Sequence, residues 1–394
     1  MSDRTSTSAY GRLPVDLDFD SFAAICADPA GGVEVTHAAE IARGVPIYDG
    51  DRLRSLASDP VSAEQVRAEM AAIFGEGAGV LAIRNAWNDR AVLDAMSNTL
   101  LQIVARERET NPDGFDHFAA SGANSRAWVT LGKAAKLDPA TYVSYYANPI
   151  LTLTSEAWLG PNFQLTAQAN IVHPGGKAQS PHRDYHLGFL TDADARRYPA
   201  HVHRLSQALT LQGAVVHSPM PIASGPTMLL PGSQRFLPGY LAWRDDRFQQ
   251  YFADHQVQLD FEPGDALFFN PGLHHGAGEN HTADIDRMAN LMQISSAFGI
   301  AMEAVDWPGI AVATYPVLQQ LAADAALTED HLAVCAAGYP WPSNLDTDPS
   351  TAGLAPPTMQ DIMAQALADQ LTPCLLYTSP SPRDATLSRM PSSA

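Results

Sequence analysis

From about residue 155 to residue 300 the chain alternates apolar and polar side chains in short runs, and Gly and Pro close almost every run. The clearest run is 164–171, where Leu165, Ala167, Ala169 and Ile171 interleave with Gln164, Thr166, Gln168 and Asn170. Successive side chains of a strand point to opposite faces, so this pattern predicts a strand with one apolar and one polar face. Further strands are expected over 207–216, 227–230, 257–261, 265–270 and 288–298. Between them stand Ser224-Gly225-Pro226, Pro231-Gly232-Ser233, Glu262-Pro263-Gly264 and Pro271-Gly272, which suit tight turns. Many short strands separated by such turns point to a sandwich or a barrel. The sequence holds no internal repeat, no GxGxxG and no phosphate loop.

On both sides of this region the period is helical. Ser62 to Gln65 reads as a capping box that opens a helix through Phe74, and Val80 to Ile83 as a short buried strand. Asn88 is expected to cap a helix carrying Val92, Met96, Leu100 and Ile103 to about Arg106. Beyond Trp307, helices are expected over 315–326, 328–337 and 359–371, with a Pro-rich linker over 340–357. The fold class is therefore mainly β with added helices. A single domain is expected over 16–371, with a helical N-terminal part, a β core over about 155–300 and a helical C-terminal part over 305–371. Residues 1–15 read as a disordered leader. Residues 372–394 are Ser- and Pro-rich, resemble translated adapter sequence and are expected to be a non-native tail outside the fold.

Composition removes several function classes. Of 394 residues, 24 are Lys or Arg and 43 are Asp or Glu, a formal charge of −19. Nucleic acid and anionic membrane surfaces would repel such a chain. No apolar run approaches the roughly 18 residues that span a bilayer. The first residues lack the apolar core of a secretion signal. Cys26, Cys335 and Cys374 offer neither a zinc pair nor a disulfide framework. A cytoplasmic protein acting on a small-molecule substrate is expected.

The chemistry is concentrated in two places. His182-Arg183-Asp184 follows the turn Pro174-Gly175-Gly176, and on a strand positions i and i+2 share a face. Downstream lie His274 and His275 in Leu273-His274-His275-Gly276-Ala277-Gly278-Glu279-Asn280, then Arg287. Two imidazoles and one carboxylate on one side of an ion form the facial triad of non-haem Fe(II) oxygenases. Residue types alone leave open whether His274 or His275 is the distal ligand. The string His182-Arg183-Asp184 also occurs in kinase catalytic loops, but no glycine-rich loop, strand Lys or DFG accompanies it here.

The ordered set His182-x-Asp184, Gly225-Pro226-Thr227, Pro231-Gly232-Ser233, Gly264-Asp265, His275-Gly276-Ala277-Gly278-x-Asn280 and Arg287 resembles the phytanoyl-CoA dioxygenase family, over about Val80 to Met302. The resemblance implies a double-stranded β-helix, a form of jelly roll related to the cupins, flanked by helices. It also implies Fe(II), 2-oxoglutarate and O2 as cofactor and co-substrates, and hydroxylation of an unactivated C–H bond with release of succinate and CO2. It selects His275 as the third ligand beside His182 and Asp184, and Arg287 as the partner of the far carboxylate of 2-oxoglutarate. Gln168 and Thr166, on the polar strand face, are expected to line the co-substrate pocket. Tyr185, His186 and Phe189 are expected to border the substrate. Arg183, Gln234 and Ala277 stand where the family often has Gln, His and Ser, which bears on residues around the ligands. The helical additions are expected to shape the pocket mouth or a homo-oligomer contact. Two other readings fit such a fold: a cupin-like metal-dependent isomerase or dioxygenase that does not use 2-oxoglutarate, and a non-catalytic jelly-roll binding module.

Overall fold

The computed structural model describes residues 11–110, 124–339 and 354–373. Among the described residues, ten strands form two sheets that face each other. They are β1 (Glu40–Ala42), β2 (Val45–Asp49), β3 (Val80–Arg84), β4 (Asn124–Ala127), β5 (Gln164–Val172), β6 (Thr210–Val216), β7 (Thr227–Leu229), β8 (Ala266–Phe269), β9 (His275–Ala277) and β10 (Arg287–Ser295). Eight make one sheet in the order β1-β2-β3-β8-β6-β10-β5-β4, all antiparallel except the pair β2 and β3. The other two, β7 and β9, form the small sheet. Isolated pairings widen it on both sides, His182 beside His275 and Val257 beside Leu229. This is a jelly roll: a broad sheet, a narrow sheet and a cavity between them.

The period-two runs sort the broad sheet into layers. On β5, Leu165, Ala167, Ala169 and Ile171 belong to the main apolar core. The helix Thr130–Leu137 packs on that strand. The other face turns Gln168 and Asn170 toward the cavity. β10 runs antiparallel beside it, with Leu291 opposite Gln168 and Ala289 opposite Asn170. Its cavity-facing residues are Arg287, Ala289, Leu291 and Gln293. Both faces are covered, so polar side chains on this strand face are buried rather than solvated.

The flanks differ from expectation in informative ways. The N-terminal part contributes four strands to the broad sheet, β1 to β4, as well as helices. Val45 to Tyr48 are all buried, so the segment lacks the alternation that marks a half-exposed strand. The first long helix, Pro60–Gly75, is capped by Asp59, whose carboxylate accepts from the backbone N–H of Ser62. The expected box at Ser62 therefore starts one turn late. The helix Arg90–Thr110 is capped by Asp89, which accepts from the N–H of Val92, and not by Asn88. Residues 257–261 do not form a strand but make two single pairings, Val257 with Leu229 and Phe261 with Met220. The helices Ala200–Ala208 and Asp246–His255 lie inside the region expected to be β.

C-terminal helices run Trp307–Ala323, Glu329–Cys335 and Met359–Ala368. Of the expected leader, residues 11–15 are described, and Gly11 accepts a hydrogen bond from the N–H of Ala200. The remaining leader residues, most of the Pro-rich linker and residues 374–394 lie outside the described residues. Among the described residues no helix is long and apolar enough to cross a membrane.

The Gly-Asp motif after Pro263 is structural. Gly264 takes φ +95°, a conformation that side chains resist. Asp265 then caps the turn by accepting from the N–H groups of Glu262 and Asn85, and pairs with Arg84 at 2.8 Å.

Candidate metal and co-substrate site

His275 opens β9 and His182 lies on its free edge. The backbone N–H of His182 donates to the carbonyl of His275 at 2.9 Å, and the reverse bond is 3.1 Å. Two residues on, the N–H of Asp184 donates to the carbonyl of Pro271 at 3.1 Å. Backbone pairing therefore carries the three side chains to one place. Their ligand atoms all lie within 4.8 Å of one another. Asp184 Oδ1 is 3.5 Å from His182 Nε2, and Oδ2 is 3.4 Å from His275 Nε2. Adjacent ligands at about 2.1 Å from one octahedral ion stand about 3 Å apart, so small side-chain movements would close this set on a metal.

Both imidazoles are held in the tautomer a metal needs. His182 Nδ1 lies 2.8 Å from the carbonyl of Ser180, and His275 Nδ1 lies 2.9 Å from that of Leu273. A carbonyl only accepts, so in the neutral rings each Nδ1 carries the proton and each Nε2 keeps its lone pair toward the site. Burial works against charge on Asp184, but in the metal-free site the hydrogen bonds and positive field that His182 and His275 supply when protonated outweigh it and hold its pKa well below the usual carboxylate range. Burial, then the neighbouring His182, lowers the pKa of His275, which favours its neutral, ligating form.

His274 points the other way. Its N–H donates to Ser233 Oγ, its ring lies 5.2 Å from that of Phe22, and its Nε2 is buried without a hydrogen-bond partner among the described residues. Arg183 also leaves the site. It is fully buried, donates to the carbonyls of Ser233 and Phe236 and lies over the ring of Tyr240. Gln234 is buried against Gly77 and Gly79, away from the cavity. Two of the three departures from the family pattern therefore lie outside the cavity lining, and only Ala277 is part of it.

Arg287 lines the same cavity and is itself buried. Nη1 donates to the carbonyls of Ser224 at 3.2 Å and Gly278 at 3.4 Å. Among the described residues no carboxylate pairs with it, and burial lowers its pKa to about 10. A buried guanidinium held only by carbonyls fits an incoming carboxylate. The turn beside it depends on Gly225, at φ +71°. A Cβ there would stand 2.3 Å from the carbonyl oxygen of Glu279. That close approach brings Ser224 and Gly278 together under the guanidinium.

The other expected contacts divide. Gln168 lines the cavity and its Nε2 lies 3.4 Å from Glu303. Thr166 shares its strand face but is outside the lining, and its hydroxyl donates to the carbonyl of Gln293 at 2.9 Å. Phe189 lines the cavity. His186 turns to Ser206, 3.2 Å away. Tyr185 is buried and donates its hydroxyl to Gln293 Oε1 at 2.6 Å. Its backbone, at φ +67° and ψ 150°, lies in a region that side chains avoid, so the residue after Asp184 is strained.

Sequence reasoning missed several cavity residues, among them Gln179, which accepts from the N–H of Ala277, Arg126 and Trp128 at the end of β4, and Gln212 on β6. Only Gln212 left a usable signal, because Thr210 and Gln212 repeat on β6 the polar periodicity of β5.

The family model for phytanoyl-CoA dioxygenase matches residues 75–289. Dioxygenase FrzG of Cladobotryum sp is 32% identical over 114 residues, 29% of this chain and 34% of that protein. Dioxygenase cdmD of Talaromyces verruculosus is 35% identical over 122 residues, 30% of this chain and 35% of that protein. The chain spans about a third of the length of these curated relatives. Similar solved structures include two non-heme alpha ketoglutarate dependent enzymes from nogalamycin biosynthesis. The epimerase SnoN has a TM-score of 0.38 and 17% identity, covering 61% of this chain and 84% of that one. The carbocyclase SnoK has a TM-score of 0.40 and 17% identity, covering 59% and 83%.

Proposed function

Because this chain belongs to the phytanoyl-CoA dioxygenase family, we propose that it hydroxylates an unactivated C–H bond of a small organic substrate, as an Fe(II)- and 2-oxoglutarate-dependent dioxygenase. His182 Nε2, an oxygen of Asp184 and His275 Nε2 hold the metal from one side. The carbonyls of Ser180 and Leu273 fix both rings by accepting from Nδ1. Arg287 receives the far carboxylate of 2-oxoglutarate, to which a guanidinium can donate two parallel bonds. When bound, Fe(II), 2-oxoglutarate and O2 supply a two-electron oxidation, in which one oxygen atom leaves in succinate beside CO2 and the other enters the substrate.

The chain's own work is positioning and exclusion of water. Phe269 packs its ring 4.6 Å from that of His275, and Leu267, Leu291 and Met220 continue the apolar wall. A dry wall strengthens the pull of Arg287 on a carboxylate and keeps the oxidation from side reactions. Asp184 fills the ligand position that related halogenases leave open for chloride, which favours hydroxylation over halogenation.

One observation carries this reading: three ligand atoms converge within 4.8 Å in the cavity that holds an arginine without a carboxylate partner among the described residues. Anaerobic protein with Fe(II) and 2-oxoglutarate should show a visible charge-transfer band that Asp184→Ala abolishes. A wild type that looks like the variant overturns the ligand assignment. Succinate release across candidate metabolites then identifies the substrate.

A further inference from the structure

Asp184 is gripped at three points. Its N–H donates to the carbonyl of Pro271, its own carbonyl accepts from the hydroxyl of Tyr240 at 3.2 Å, and its Oδ2 accepts from Gln212 Nε2 at 2.6 Å. Gln212 stands on β6 between Phe269 of β8 and Gln293 of β10, and it lines the cavity. A carboxylate only accepts, so the amide must turn its NH2 toward Asp184. Gln212 Oε1 then faces away, buried and with no hydrogen-bond partner among the described residues. An unpaired buried carbonyl destabilises a fold, and an apolar side chain of the same shape would avoid it. The position is better explained by what Nε2 does for Asp184.

We propose that Gln212 is a positioning residue that reserves Oδ2 of Asp184, so that the carboxylate binds the metal through Oδ1 alone. Two-oxygen binding would take a position that 2-oxoglutarate needs for chelation. Removing the donor frees Oδ2 and lets the carboxylate swing onto the ion. The effect falls on the co-substrate more than on the metal. This inference rests on the metal reading above.

The test uses the full chain, with Gln212→Met, which keeps the length of the side chain and loses the donor, and Gln212→Leu, which loses the donor in a smaller side chain. Metal-free protein is melted first to show that each variant folds. Co(II)-substituted protein without 2-oxoglutarate then reports ligand number through its visible absorption, and 2-oxoglutarate is titrated anaerobically into the Fe(II) form. The expected result is a changed Co(II) spectrum and 2-oxoglutarate binding weakened about 10-fold or more, comparable to what lost partners of metal ligands do to metal affinity or activity. Folded variants whose spectra and titrations match wild type overturn the inference and leave the metal reading intact. A wild type that binds no metal overturns both. If Gln212→Met does not fold, the smaller Gln212→Leu carries the same comparison.

Discussion

His182 and His275 are partners through their backbones before they are neighbours through their rings. Two reciprocal main-chain bonds, 2.9 and 3.1 Å, join them, and the ring centroids lie 4.6 Å apart. The spacing of two of the three ligand atoms is therefore a property of sheet register and requires no ion. His275→Ala should leave the fold standing while metal binding drops below detection. Circular dichroism and anaerobic Fe(II) titration check the two halves separately. Loss of the fold on removing this one ring would show that the site needs metal to form.

Arg287 should control the demand for 2-oxoglutarate. Truncating one partner of a buried, hydrogen-bonded charge pair costs on the order of 2–5 kcal/mol. Arg287→Ala should therefore raise the co-substrate concentration for half-maximal succinate release about 30-fold or more, with Fe(II) affinity unchanged. Arg287→Lys keeps the charge without the fork and should fall between. An unchanged requirement would favour a metal enzyme that does not use 2-oxoglutarate.

His217 should make the fold acid-sensitive. It is buried between Ser97 Oγ at 2.7 Å and the Tyr145 hydroxyl at 2.8 Å, and burial pushes its pKa down to about 3. The unfolded chain takes up this proton near pH 6.5, whereas the native state refuses it until about pH 3. Its contribution is complete above pH 6.5 and is lost as pH falls toward 3, at about 1.4 kcal/mol per pH unit. His217→Gln should flatten the decline of stability from pH 6.5 to pH 5 by about one proton. Urea unfolding of metal-free protein at several pH values measures it, and parallel curves for the two proteins would refute it.

Val129 should be improvable. It takes φ +51° and ψ 46° although β-branched, just before the helix Thr130–Leu137, and its N–H donates to Glu303 at 3.1 Å. A β-branched residue pays about 1–2 kcal/mol in this conformation, which Asn tolerates better. Val129→Asn should raise stability by about 1 kcal/mol and leave the metal site untouched. A lowered melting temperature would mean that packing of the valine outweighs its strain.

What could be read from the sequence follows the range of the forces involved. His182 and Asp184 stood out because a metal site demands those residue types at that spacing, whereas the choice of His275 over His274 and the role of Arg287 came from the family resemblance. β5 stood out because its apolar and polar residues alternate. β2 did not, since a strand buried on both faces carries no period. The caps Asp59 and Asp89 were misplaced because Ser62 and Asn88 satisfy the same local rule, and only tertiary packing chooses between them. Thr166 was grouped with Gln168 because they share a strand face, but the sequence does not show where along the strand the cavity ends. Gln212 was invisible as a partner of Asp184 because nothing local joins β6 to the segment after His182.

The two sheets divide the labour. The narrow sheet and its edge carry His182, Asp184 and His275, while Arg287 belongs to the broad sheet. On the proposed reading, 2-oxoglutarate is a strut: one end sits on the metal of one layer and the other on the guanidinium of the opposite layer. Loading it should clamp the sandwich. Amides of β7, β9 and β10 should then exchange with deuterium more slowly than in protein loaded with metal alone, even though no residue of the chain has been changed.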